Sequence, residues 1–203
     1  MFAWCKALKT ADLSHADFRR VSNISDMFSN CVSLESINFE GMRTGRIRDI
    51  MGMFRMCSLL REVDMTGFDI GLTYTMACVF LGCSSLKTVS LAGHDASSLK
   101  VAYRLFYGCS SLEGIDLSGS FDSLLDGIRE HPTSWDGIFD DCTSLSWWKV
   151  SDTWPVICEG GIPQPTNSRN AWWSERDGRW MSVEEIAARG MVADSFYCRE
   201  PGR

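Results

Sequence analysis

The stretch MFSNCVSLESI, residues 27–37, places a cysteine inside an apolar run, and five other stretches repeat it. Aligned on Phe-x-x-Cys-x-x-Leu, the chain reads FAWCKAL, FSNCVSL, FRMCSLL, FLGCSSL, FYGCSSL and FDDCTSL. The phenylalanines are Phe2, Phe28, Phe54, Phe80, Phe106 and Phe139, and the cysteines Cys5, Cys31, Cys57, Cys83, Cys109 and Cys142. The interval is 26 residues four times, then 33. A cysteine that keeps such a register is one position of a column. A structural zinc site gathers four ligands around one ion, whereas a column supplies one sulfur per repeat, so the thiols read as small buried side chains that stay reduced and unreactive.

Other columns hold the same phase: Leu8, Leu34, Leu60, Leu86, Leu112 and Leu145, then Ile37, Val63, Val89 and Ile115, then Gly41, Gly67, Gly93 and Gly119. A 26-residue period lies in the leucine-rich-repeat range. SLKTVSLAG reads as a short alternating strand followed by a turn, and AYRLFYGC suits a helical turn or two. The fold expected is therefore an α/β repeat: a leucine-rich-repeat solenoid of about six coils, with parallel strands on one face and short helices or turns on the other. No coil buries its apolar face alone, so stacked neighbours must form the core.

The repeats MFSNCVSLESINFEGM, VFLGCSSLKTVSLAGHDAS and LFYGCSSLEGIDLSGSFDS resemble those of BspA-like bacterial surface proteins, with their Met-Phe-x-x-Cys-x-Ser-Leu and Leu-Asp-Leu-Ser patterns. That resemblance covers residues 1 to about 150. It implies export to a bacterial cell surface and a role in adhesion or host contact. Loops such as RTGRIRDI, residues 43–50, depart from the pattern.

Three segments break the register. Between Gly119 and Phe139 the period gains seven residues, an insertion within 120–137 that carries His131 and Trp135. Residues 151–170 form a Gly/Pro/Asn-rich connector. Residues 171–203 form a tryptophan-rich unit in which Asp177-Gly178 signals a hairpin. There, Ser182 and Glu185 form a capping box for a helix over 183–189 that stops at Gly190. This unit resembles the tryptophan-rich tail that follows such repeats in some gut actinobacterial surface proteins, and its expected role is to cover the last coil. At the other end, Met1-Phe2 opens directly on a repeat, which leads to the expectation of a fragment of a longer protein whose uncapped first coil self-associates end to end.

The 203 residues are 45% hydrophobic, ordinary for a chain with a core, and the net charge of -6 argues against a nucleic-acid partner and a polybasic membrane patch. No apolar run approaches the roughly 20 residues of a membrane span, and MFAWCKALKTADLSHADFRR, residues 1–20, lacks the charged start, long apolar middle and small-residue cleavage site of a signal peptide. Nine cysteines spread over the whole length do not make a compact disulfide framework. Cys158 and Cys198 remain a candidate pair in an oxidising compartment.

Catalysis needs a nucleophile with an oriented base, and His15, His94 and His131 stand in no fixed relation to a serine or cysteine. Neither a cofactor nor a metal is indicated. Function then falls to the surface. Ligand-binding candidates are Trp135 and His131 in the insertion, Trp173 in the tail, and the outward strand column Asp12, Asn38, Asp64 and Asp116, whose simpler reading is a solvated face. The expectation is a non-enzymatic binding or adhesion module at the cell surface or secreted, with a host or bacterial surface protein or glycan as partner. The alternative is a structural spacer that projects another domain.

Overall fold

Each repeat places one phenylalanine in the middle of the molecule. In the computed structural model, which describes residues 1–65, 67–121, 132–154, 162–190 and 192–200, Phe2, Phe28, Phe54, Phe80, Phe106 and Phe139 stack ring on ring. Their centroids lie 5.3–5.9 Å apart and their planes within 3–13° of parallel. The four central rings are fully buried. Each stacked pair contributes about 0.5–1.5 kcal/mol beyond the area it hides.

Beside this column the backbone pairs from repeat to repeat. Strands β1 (Thr10–Asp12) and β2 (Ser36–Asn38) form a parallel pair in register Thr10 to Ser36. Strands β3 (Thr88–Ser90), β4 (Gly114–Leu117) and β5 (Trp147–Val150) are also parallel. The chain then turns back on itself. Strands β6 (Trp172–Ser174) and β7 (Arg179–Met181) make an antiparallel hairpin, helix α1 spans Val183–Arg189, and β8 (Asp194–Tyr197) inserts antiparallel between β5 and β6. The sheet order is β3-β4-β5-β8-β6-β7.

Among the described residues the architecture is therefore mostly β, with one short α-helix and a mixed six-stranded sheet. This corrects the expected α/β leucine-rich-repeat solenoid with parallel strands on one face and short helices or turns on the other. The reason lies in the backbone of the Phe-x-x-Cys segment. Two positions per repeat, four residues apart, are left-handed: Asp26, Gly52, Cys78, Arg104 and Gly137, and Trp4, Asn30, Met56, Gly82, Gly108 and Asp141. A left-handed residue in every fourth place stops a right-handed helix from propagating. Successive turns form in its place, with the Cys31 N–H donating to the Phe28 carbonyl at 3.0 Å and the Leu34 N–H to the Cys31 carbonyl at 2.9 Å. The intervening donors reach the next repeat: Phe28 N–H to Met53 O at 2.9 Å, Asn30 N–H to Arg55 O at 2.7 Å. Backbone donors that a helix would use internally are spent on stacking.

The tail packs on the last repeat through aromatic rings. Trp148 is fully buried, stacked on Phe196 at 4.4 Å and met edge-on by Trp172 at 6.1 Å. Helix α1 begins at the Ser182–Glu185 capping box, and both reciprocal bonds are present. A buried polar cluster ties the tail together: Asp194 accepts from the Ser174 hydroxyl, from Arg189 Nη1 at 2.7 Å and from the Arg176 N–H at 3.0 Å. Among the described residues no helix is long and apolar enough to cross a membrane.

Candidate functional site

The strand column Asp12, Asn38, Asp64 and Asp116 lies on the outer side, with the first three exposed and Asp116 half-buried. Local turns use its oxygens. Asp12 Oδ1 accepts from the Ser14 N–H, Asn38 Oδ1 from the Glu40 N–H and Asp116 Oδ1 from the Ser118 N–H, each at 2.9 Å. The Ser14 backbone bond is also the main reason the Asp12 carboxyl titrates below its usual range. These side chains hold the chain as it leaves each strand, the role such short polar side chains play in turns.

Trp135 does not line a surface. Its side chain is 1% exposed and meets Trp154 edge-on at 5.8 Å, so the candidate anchor of the insertion is part of the core. His131 and most of the insertion lie outside the described residues, as does Cys158, so the proposed Cys158–Cys198 pair does too.

The buried thiols do more than fill space. Cys31, Cys57, Cys83, Cys109 and Cys142 donate to the carbonyl oxygens of Phe2, Phe28, Phe54, Phe80 and Phe106 at 3.0–3.2 Å. Burial pushes the thiols of Cys57 and Cys142 up to about 12. Nucleophilic thiol chemistry needs the thiolate, which these sites suppress. Among the described residues no group of three or more His, Cys, Asp or Glu is placed to hold a metal ion.

Trp173 belongs to an arrangement that single residues did not reveal. On the outer face of the mixed sheet, directly opposed positions read Gly114, Trp147, Tyr197, Trp173 and Trp180 across β4, β5, β8, β6 and β7. All four aromatic side chains are half-buried, so each keeps surface facing out. At a strand spacing of about 4.8 Å, the row from Trp147 to Trp180 covers about 14 Å. Gly114 supplies the space at one end: the Trp147 ring lies where a Cβ at position 114 would be. At the other end Trp173 and Trp180 meet edge to face at 5.7 Å, and the Arg169 guanidinium lies 5.0 Å over Trp180.

A polar row runs alongside. Ser90, Asp116, Lys149 and Ser195 oppose one another one step along the same strands, and Lys149 Nζ lies 3.8 Å from Asp116 Oδ2. The Tyr197 hydroxyl donates to Glu175 Oε2 at 3.4 Å, and burial together with the Glu175 charge raises its pKa, keeping the phenol protonated. Ser118, Lys149, Asp152 and Ser195 line an adjoining shallow cleft of about 430 Å³. Aromatic faces beside fixed donors and acceptors suit a ligand with one apolar and one polar aspect.

Residues 1–118 match the family described as "Mycoplasma protein of unknown function, DUF285". The chain belongs to this family. The match corrects the BspA-like leucine-rich-repeat assignment made from the Phe-x-x-Cys pattern: the phased columns are those of a DUF285 chain. The DUF285 stretch ends just beyond β4, so Trp147, Tyr197, Trp173 and Trp180 all lie past it. No curated protein and no solved structure matches the chain.

Proposed function

We propose that this chain is a non-enzymatic binding module of a cell-surface or secreted protein, and that the outer face of its C-terminal sheet takes a carbohydrate chain. One observation carries the reading: Trp147, Tyr197, Trp173 and Trp180 stand opposite one another across four strands, with the polar row of Asp116, Lys149 and Ser195 beside them. Pyranose rings present C–H groups on their faces and hydroxyls at their edges. Aromatic side chains stack on the former, while carboxylate, ammonium and hydroxyl groups bond the latter. An open row spanning several strands suits an extended chain better than a small molecule, which calls for an enclosing pocket. A surface location follows from such a partner.

A glycan array read with the intact protein tests this. Reproducible binding that Trp173→Ala and Lys149→Ala both weaken, with unchanged melting temperatures, supports it. A blank array overturns it and leaves the chain as a structural spacer that projects another domain.

A further inference from the structure

A second face, set by residues of the first three repeats, gathers arginines. In the second half of each of the first three repeats an inward side chain sits between two outward ones, and the pairs align at the 26-residue period. Arg20 and Ser22 flank Val21, Arg46 and Arg48 flank the buried Ile47, and Leu72 and Tyr74 flank the buried Thr73. Backbone bonds lock the register: Arg48 N–H to Ser22 O and Tyr74 N–H to Arg48 O, both at 2.8 Å. Parallel bridges at Asp17 to Arg43 and Asn23 to Asp49 bracket the first two levels.

Arg20 therefore faces Arg46 one level away, at about 4.8 Å between backbones, where like charges repel. Arg19 is paired with Asp17 at 2.7 Å, and its guanidinium holds that carboxyl down to about 2. Arg20, Arg46 and Arg48 have no ion pair among the described residues. Asp17, Arg19, Arg20 and Arg46 line a groove of about 950 Å³, which continues into a hollow of about 380 Å³ between Arg20, Arg46, Arg48 and Leu72. On the next level Leu72 and Tyr74 are 48% and 44% exposed.

We propose that this groove binds a sulfated polysaccharide. Guanidinium forks match the oxygens of sulfate groups, and the Tyr74 ring and Leu72 offer an apolar surface to the sugar that carries them. The arginines are exposed in an open groove, so each contact with a lone anion is weak and screened. A chain that carries several sulfates engages the three together. A nucleic-acid duplex is disfavoured, because beyond the groove its phosphates meet a molecule of net charge -6. This site is independent of the aromatic row on the C-terminal sheet.

The test is heparin titrated against the intact protein by calorimetry at two salt concentrations, with desulfated heparin and duplex DNA of matched length alongside. Heparin is expected to bind in a salt-dependent manner and desulfated heparin not to bind. The Arg20→Gln/Arg46→Gln/Arg48→Gln variant is expected to lose about tenfold or more in affinity, and Tyr74→Ala is expected to weaken binding even at the higher salt. All four side chains are exposed and the arginines repel one another, so thermal melting should not fall, and Lys6→Gln/Lys9→Gln controls for loss of charge elsewhere. Heparin binding that survives the triple substitution, equal loss in the lysine control, or DNA binding as tight as heparin overturns the proposal.

Discussion

The Sγ of Cys83 donates to the carbonyl oxygen of Phe54, 29 residues earlier in the chain, at 3.1 Å. That carbonyl also accepts the Cys57 N–H at 3.0 Å, so the thiol occupies its second lone pair and ties two successive repeats together at one atom. Cysteine is apolar enough for a fully buried site and still a donor, a combination no aliphatic residue offers. Cys83→Val is expected to cost about 1–3 kcal/mol through overpacking and the lost bond. Cys83→Ser keeps a donor and is expected to be milder, at about 1 kcal/mol. Urea denaturation of the two variants checks the order.

The same thiols make stability fall in alkali. Burial raises Cys57 and Cys142 from an ordinary value of 9.0 to about 12, and pushes Cys83 and Cys109 well above it. Between pH 9 and 12 the unfolded chain therefore loses thiol protons that the folded chain retains. Stability from these groups is complete below pH 9 and is lost as the pH climbs toward 12. Wild type is expected to lose stability more steeply across that window than Cys57→Ala/Cys142→Ala, since only the substituted chain lacks those two titrations. Denaturation midpoints at pH 8, 9.5 and 11 measure the difference.

Left-handed positions predict opposite signs at two sites in one column. Gly82 has φ of +72°, and a Cβ there would meet Met56 Sδ at 2.5 Å. Gly82→Ala is therefore expected to cost about 1–2 kcal/mol. Met56 holds φ of +61° with a side chain already 40% exposed. Met56→Gly relieves the same backbone strain while losing little packing, and is expected to stabilise by up to about 1 kcal/mol. Thermal melts of the two variants should move in opposite directions.

Periodic side chains were the legible part of this chain. Phe28, Phe54, Phe80 and Phe106 share a column in sequence and touch as rings, because identical spacing puts identical residues on adjacent levels. Backbone conformation was only half visible. Asn30, Gly82, Gly108 and Asp141 are residue types that tolerate left-handed geometry, but Trp4, Met56, Cys78 and Arg104 adopt it because neighbouring levels impose it. A helix therefore looked plausible where turns form. The candidate site was legible residue by residue and hidden as a whole. Trp173 stood out, and the alternation in Trp147-Trp148-Lys149 and Ser195-Phe196-Tyr197 marks outward faces. Yet the row exists only because β8 inserts between β5 and β6, a pairing of residues far apart in sequence that no local pattern encodes. Trp135 misled for the converse reason: a tryptophan in an insertion looks like an anchor until Trp154 covers it.

The insertion of β8 depends on one buried carboxylate. The Asp194 side chain is fully buried, and Arg189 Nη1, itself 3.0 Å from Asp177 Oδ2, lies 2.7 Å from it. Removing the cation leaves that charge without its partner in a site that water does not reach, a change that typically costs about 3–5 kcal/mol. Arg189→Met keeps an unbranched apolar stem and removes the guanidinium, with its charge and its hydrogen bonds to Asp177 and Asp194. It is expected to destabilise the tail by that amount, whereas Arg179→Met, which breaks the exposed pair with Glu185, is expected to cost about 0–1 kcal/mol. Because Ser195 and Tyr197 flank the Trp148-stacked Phe196 on the same strand, loosening Asp194 also withdraws Tyr197 from between Trp147 and Trp173. Hydrogen exchange should therefore show lost protection across 194–197 in Arg189→Met, with the stacked phenylalanine levels from Phe28 to Phe80 unchanged. Equal loss along the whole chain would mean that the tail and the repeats unfold as one unit.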